Sequence, residues 1–272
     1  VRVATFNLHA GVDGWGRRTR AVDVAIEIDA DVLIAPETWR GDDGDDVYAT
    51  LSAALDYQGV FAPLARAERV STGTGGRGWQ PSLAHFSGEH GLFFTEHRDL
   101  TPSQRQRHRR GEPETGTWGL SLLTRLAVEQ IRIEPIERLP HERVRRAVII
   151  ATLREGDRRF HVVALHAAHL SHGSFIQYRR VRELVASLDP SLPVILGGDF
   201  NSWRPLLRLF LPGWTTLARA RTWPGPRPHS QIDHLLGRGA WRVLGAGSRD
   251  GGSDHRALYA DLARLDLDAT PG

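Results

Sequence analysis

Cysteine, methionine and lysine do not occur in this 272-residue chain. Without cysteine there are no disulfides and no thiolate ligands, so any metal must be held by carboxylates, amides or imidazoles. Without lysine every permanent basic charge on a side chain is a guanidinium, which reconciles a formal net charge of only +3 with a pI of about 9.9. So small a net charge over this length is not the footprint of a DNA-coating protein. No apolar run reaches the roughly 18 residues of a membrane span. The chain opens directly on a strand-like segment, with neither a charged n-region nor an apolar h-region, and the expected location is cytoplasmic.

Hydrophobic residues make up 40% of the chain, enough to build a core and too many for a disordered polymer. No repeat or linker divides the sequence. The expectation is one domain over residues 1–265, with a frayed tail at 266–272, acting as a monomer.

The segment VRVATFNLHAG alternates apolar and polar residues and reads as a strand. A short helix is expected over 20–29, and DVLIAPE from Asp31 reads as a buried strand. Residues 49–55 read as a second helix. From Pro63 to Thr117 the chain looks irregular, with GTGGRG at 73–78 and the basic run Arg105, Arg107, Arg109 and Arg110. The stretch from Arg66 to Gly116 is expected to be the most mobile. Apolar patches at 83–86 and 92–94 inside it predict strands, since so long a structureless loop is unusual. Strand signals then resume in GLSLLTR, VEQIRIE, RAVIIATLR and FHVVALHAAHL. Helical spacing follows over 177–188, then PVILGGDF, a helix over 204–210, and the strands QIDHLL and RALYADL.

Chemistry-bearing residues gather at the ends of these strands. GGDFN at 197–201 places Asp199 and Asn201 at the end of an apolar strand, where glycines admit a close ligand. The same residues also suit a tight Asx turn. In SDH at 253–255, Asp254 and His255 can orient a water and accept its proton, or form a plain loop hydrogen bond. Asp233 lies in the apolar run IDHLL and calls for a partner such as imidazole, unless it faces solvent. Glu37 ends DVLIAPE and can reach a hard cation or cap a turn. Asn7, in TFNL, can bind a phosphate oxygen, support a carboxylate or form a turn. His166, His169 and His172 follow the strand HVVAL.

Taken in order, TFN, a strand ending in glutamate, HL, GDFN, IDH and SDH resemble the endonuclease/exonuclease/phosphatase superfamily from Asn7 to His255. The resemblance implies an α/β (α+β) four-layer sandwich, with two mainly antiparallel β-sheets face to face and outer helices. It implies a Mg²⁺ site, with Mn²⁺ as a substitute, built from Asn7, Glu37 and Asp254. It implies that Asp199 and Asn201 align the attacking water, that His169 binds the scissile phosphate, and that Asp233 polarises His255 as the acid–base group. His166 is the rival for the His169 role; His169 is preferred because Leu170 follows it. Ala168 stands where the family often has threonine, and Pro36 where it often has glutamine.

The resemblance points to phosphoester hydrolysis by activated water, phosphodiesterase or nuclease-like. A lipid-head-group or inositol phosphate phosphatase, or an inactive binding relative, would keep much of the same centre. The substrate is therefore a nucleic acid or a phospholipid or inositol phosphate head group. Trp15, Trp39, Trp79, Trp118, Trp203 and Trp223 can stack on a base, cover an acyl chain or pack in the core.

Overall fold

The computed structural model describes residues 1–12, 18–71, 84–85, 88–90, 93–95, 112–136, 139, 144 and 146–265. Its strands are numbered in chain order. The first sheet has the order β14 (Trp241–Asp250), β15 (Arg256–Arg264), β1 (Arg2–Thr5), β2 (Val32–Gly41), β7 (Glu112–Thr124), β3 (Gln58–Ser71) and β4 (Ala84–His85). The second runs β12 (Thr215–Thr216), β13 (Asp233–Arg238), β11 (Val194–Asp199), β10 (Arg158–His166), β9 (Ala147–Glu155) and β8 (Ala127–Pro135). A separate ribbon pairs β5 (Gly88–His90) with β6 (Phe93–Thr95).

Each of the two large sheets is antiparallel except for one central pair. That pair is β1 beside β2 in the first sheet and β10 beside β11 in the second. The continuous apolar run RAVIIATLR becomes β9 because both of its faces are covered. Ile149 and Ala151 enter the core between the sheets, while Val148 and Ile150 turn to the helices outside. β10 divides in the same way, with Val162 and Ala164 inside and Val163 and Leu165 outside.

Helices α1 (Ala21–Ile28) and α2 (Val47–Leu55) pack with the first sheet, and α3 (Phe175–Ala186) and α4 (Arg204–Phe210) with the second. The result is the four-layer sandwich expected. Asp46 starts α2 by accepting the Ala49 N–H at 2.9 Å, a cap worth about 1 kcal/mol. None of the described helices is long and apolar enough to cross a membrane.

The region expected to be irregular is partly regular. β3 and β7 pair without interruption from Arg66–Thr117 to Ser71–Glu112, so the strand ladder extends well into it. Buried Arg69 helps fix this extension. It bonds Asp45 and Glu114 and lies 4.7 Å over the Trp39 ring. The expected short strands appear as β4 and β6, with β5 an addition. The basic run at 105–110, the glycine-rich segment at 73–78, Trp15, Trp79 and the 266–272 tail lie outside the described residues.

Candidate active site

The eight residues to which the resemblance assigns roles come from one rim of the sandwich or the loops beside it. The parallel pairs β1/β2 and β10/β11 end there, while the antiparallel neighbours β13 and β15 begin there. In the first sheet, the Phe6 N–H donates to Ile34 O at 2.9 Å and the Leu8 N–H to Pro36 O at 3.0 Å. These bonds carry the parallel pairing past β1 and set Asn7 between them. Glu37 is not a strand end. β2 continues to Gly41, and Glu37 sits at a bulge between Pro36 and Thr38 with φ +55°. The extra residue turns its side chain out of the ladder and into the rim. A proline inside an otherwise apolar strand is the sequence sign of such a bulge.

In the second sheet, Asp199 is the central residue. It stands opposite His166 on β10 and Asp233 on β13. The glycines before it serve packing rather than ligand approach. A Cβ on Gly198, at φ +138°, would lie 1.8 Å from Leu165 O; one on Gly197 would lie 2.7 Å from Ile34 of the facing sheet. Beyond the strand, the Asn201 N–H donates to Asp199 Oδ1 at 2.8 Å, and Asn201 Nδ2 to Ala167 O at 3.0 Å. The Asx turn is real, and it is what aims Asp199 and Asn201.

Asn7 joins the two sheets. Its Nδ2 donates to Glu37 Oε1 and to Asp199 Oδ2, both at 3.1 Å, and its Oδ1 accepts the His9 N–H at 3.0 Å. Asn7 thus meets the carboxylates through its donors. His255 Nδ1 donates to Asp233 Oδ2 at 2.8 Å, which turns Nε2 toward Asp199 Oδ2, 3.8 Å away. The Thr222 hydroxyl accepts the Asp233 N–H at 3.3 Å. Ser253 donates to Asn7 O at 2.8 Å and locks the SDH loop against the end of β1.

Burial sets the charges. It pushes Asp199 up to about 7, with Asp233 adding repulsion and His255 working the other way. Burial alone would lower His255, but the carboxylates of Asp233 and Asp199 outweigh it and hold the imidazole well above its usual range. Burial dominates at His166, with the Arg146 charge adding to it, and keeps this imidazole neutral well below 6.5.

The two histidine candidates separate clearly. His166 is the buried last residue of β10, with Nε2 3.7 Å from both Glu37 and Asp199, and packs on Trp118. His169 is exposed at the mouth, three residues further on. It borders the same cleft, which encloses about 820 Å³ and also exposes Glu37, Asp199, Asp254 and His255. His172 is half-buried beside His169, with ring centroids 6.2 Å apart. Two contributors were missed in the sequence. His9 Nε2 lies 3.7 Å from Asp254 Oδ2, and buried Gln177 accepts the Ala168 N–H at 2.8 Å, fixing the loop between His166 and His169. His9, two residues after Asn7 at a strand end, carried a legible signal; Gln177 on a helix face did not.

Asp199, Asp233 and His255 also lie close enough to share an ion. The Asp233–His255 contact is instead a hydrogen bond through Nδ1, so this trio reads better as an acid–imidazole pair beside a carboxylate. Glu37 and Asp254 hold the more open carboxylates of the rim.

The Endonuclease/Exonuclease/phosphatase family model matches residues 4–255. No curated protein matches the sequence. Among solved structures, a family protein from Leptotrichia buccalis is 11% identical with a TM-score of 0.64, over 97% of this chain and 99% of its own. The human nocturnin catalytic domain with bound sulfate is 15% identical with a TM-score of 0.62, over 97% and 94%. A mannosyl-6-phosphatase from Bacteroides thetaiotaomicron is 14% identical with a TM-score of 0.62, over 97% and 99%. At these identities the structures establish the shared fold, and the match along nearly the whole sequence establishes that the chain belongs to the endonuclease/exonuclease/phosphatase family.

Proposed function

We propose that this chain hydrolyses phosphodiesters with the help of a divalent cation, Mg²⁺ or Mn²⁺. The observation that carries the proposal is the dry cluster Asp199–His255–Asp233 set beside the more open pair Glu37 and Asp254. The donor set suits a hard cation: it offers carboxylate oxygens and no sulfur. Glu37 and Asp254 would hold the ion, with Asn7 orienting Glu37 through its amide. When bound, it would neutralise charge on the phosphate oxygens and act as a Lewis acid.

The chain's own residues account for the rest. Asp199 accepts a hydrogen bond from the attacking water and takes its proton as the oxygen–phosphorus bond forms, while the Asn201 backbone holds the carboxylate in line. His255, protonated and steered by Asp233, points Nε2 to the same side as Asp199, 3.8 Å away, and donates a hydrogen bond to a phosphate oxygen there. The departing oxygen on the far side takes its proton from solvent as its bond to phosphorus breaks. Neutral His166 is placed to hydrogen-bond the phosphate, a role the sequence resemblance had given to His169. His169 then meets the substrate at the mouth. Among the described residues, the cleft is faced by the carboxylates Glu37, Asp199 and Asp254 and by one guanidinium, Arg146. That balance suits the one negative charge of a diester better than the two of a monoester.

The test is turnover of bis(4-nitrophenyl) phosphate and of 4-nitrophenyl phosphate. Activity should vanish on chelation, return with Mg²⁺ or Mn²⁺, and favour the diester. Full turnover after rigorous chelation, or none with any divalent cation, would refute the proposal.

A further inference from the structure

A second groove, of about 450 Å³, borders the catalytic cleft and shares Trp203, His229 and Ser230 with it. Its remaining wall presents Arg204, Arg219 and Arg221, and among the described residues no acid lines it. Several arginines elsewhere are held by acids, as Arg18, Arg40, Arg66 and Arg125 are. Among the described residues Arg204, Arg219 and Arg221 form no salt bridge, and Arg204 Nη1 is buried without a hydrogen-bond partner. Trp203 is 54% exposed, and Trp223, at the cleft's edge, is 37% exposed. Trp39 and Trp118, by contrast, are buried in the core. An exposed indole beside guanidinium groups without acidic partners offers together a stacking face and anion donors.

We propose that this groove is a strand-binding subsite, which takes a neighbouring phosphate and a stacked base of a single-stranded polynucleotide whose scissile phosphodiester lies in the catalytic cleft. The inference rests on the phosphodiesterase reading above and names its substrate. Guanidinium groups grip phosphates in fork geometry, and an exposed indole stacks on any base. A duplex keeps its bases stacked inside and offers none to Trp203. A phospholipid head group brings no flat aromatic ring to stack on an indole, and a bilayer meets convex rims rather than a concave arginine-lined groove. Trp203 sits at the boundary of the two depressions, where a base next to the scissile phosphate would lie.

The experiment measures kcat/KM in Mg²⁺ on bis(4-nitrophenyl) phosphate, single-stranded DNA and RNA hexamers, duplex DNA and anionic phospholipid vesicles. Hexamer binding is followed in parallel by fluorescence anisotropy in chelator. The proteins are the wild type, the double variant Arg219→Ala/Arg221→Ala, Trp203→Ala and Trp203→Phe. The ratio of hexamer to small-diester kcat/KM should fall about tenfold or more in the double variant and in Trp203→Ala, mainly through KM. Trp203→Phe should recover most of it. The salt dependence of hexamer KM should become shallower in the double variant, by about 0.7 log units per lost contact. An unchanged ratio, or faster turnover of duplex or vesicles than of single strands, would overturn the subsite. If no diester is turned over at all, the catalytic reading fails. Hexamer binding that still weakens in the variants would then sustain the subsite, and binding that does not would remove it.

Discussion

The two halves of the active-site rim differ in their contact with water. The Glu37 and Asp254 side chains are 15% and 34% exposed, whereas Asp199, Asp233 and His255 are 2%, 0% and 7% exposed. Both halves are rich in acids, yet the shifted carboxyl group and the strongly raised imidazole lie in the dry half. An open carboxylate can exchange water for an ion at little cost. A dry one titrates far from its usual range and becomes a partner for proton transfer. The fold produces both at once, because Glu37 is pushed outward by a bulge while Asp199 is enclosed by its neighbours β10 and β13.

The largest effect should come from breaking the dry half. His255→Ala or Asp199→Ala should cut diester turnover at least about a hundredfold while the protein still melts cooperatively. Turnover and thermal melting on the same samples check this; activity lost only through unfolding would count against it. On the open side, Glu37→Gln should lower turnover at least about tenfold at limiting Mg²⁺ and recover part of it as Mg²⁺ is raised, as a titration of rate against cation would show.

A smaller contrast separates the two histidines. His166→Ala should lower kcat by about tenfold or more, and His169→Ala should act mainly on KM. Steady-state kinetics of both variants settles the order, and the reverse pattern would return the phosphate-binding role to His169.

The smallest effect is on stability. The folded state holds the Asp199 proton up to about pH 7, against about 3.8 for an ordinary aspartate. Between these values the folded protein binds a proton that the unfolded chain has lost, so this residue's contribution falls as pH rises and stays unfavourable above 7. In chelator, Asp199→Asn should therefore raise the melting temperature at pH 8, and the gain should shrink toward pH 4. A gain that grew at low pH would contradict the sign.

The strand-end positions of Asn7 and Asp199 were legible because apolar runs stop abruptly at polar residues. Residues 204–210 form the expected helix, and the helices expected over 20–29 and 177–188 shift by one or two residues. The rest depended on partners remote in sequence. Between His166 and His169 the sequence offered only a local His-Leu pair to favour His169, and the placement of His166 depends on the register. β10 ends at His166 just as its parallel neighbour ends at Asp199, and only the register makes them adjacent. Gly198 was read as room for a ligand because its constraint, the Leu165 carbonyl, sits on another strand. The β3–β7 ladder was hidden because its outer part, with Arg66, Arg69 and Glu114, looks like a solvated loop until the ion pairs across it are seen.

The division of labour is tested most directly by calorimetric Mg²⁺ binding to Glu37→Gln and His255→Ala, with diester turnover measured on the same preparations. Glu37→Gln should bind Mg²⁺ at least about tenfold more weakly than the wild type. His255→Ala should bind it normally while turning over at least about a hundredfold more slowly. Loss of Mg²⁺ binding in His255→Ala, or wild-type binding in Glu37→Gln, would show that the open and dry halves do not divide the chemistry in this way.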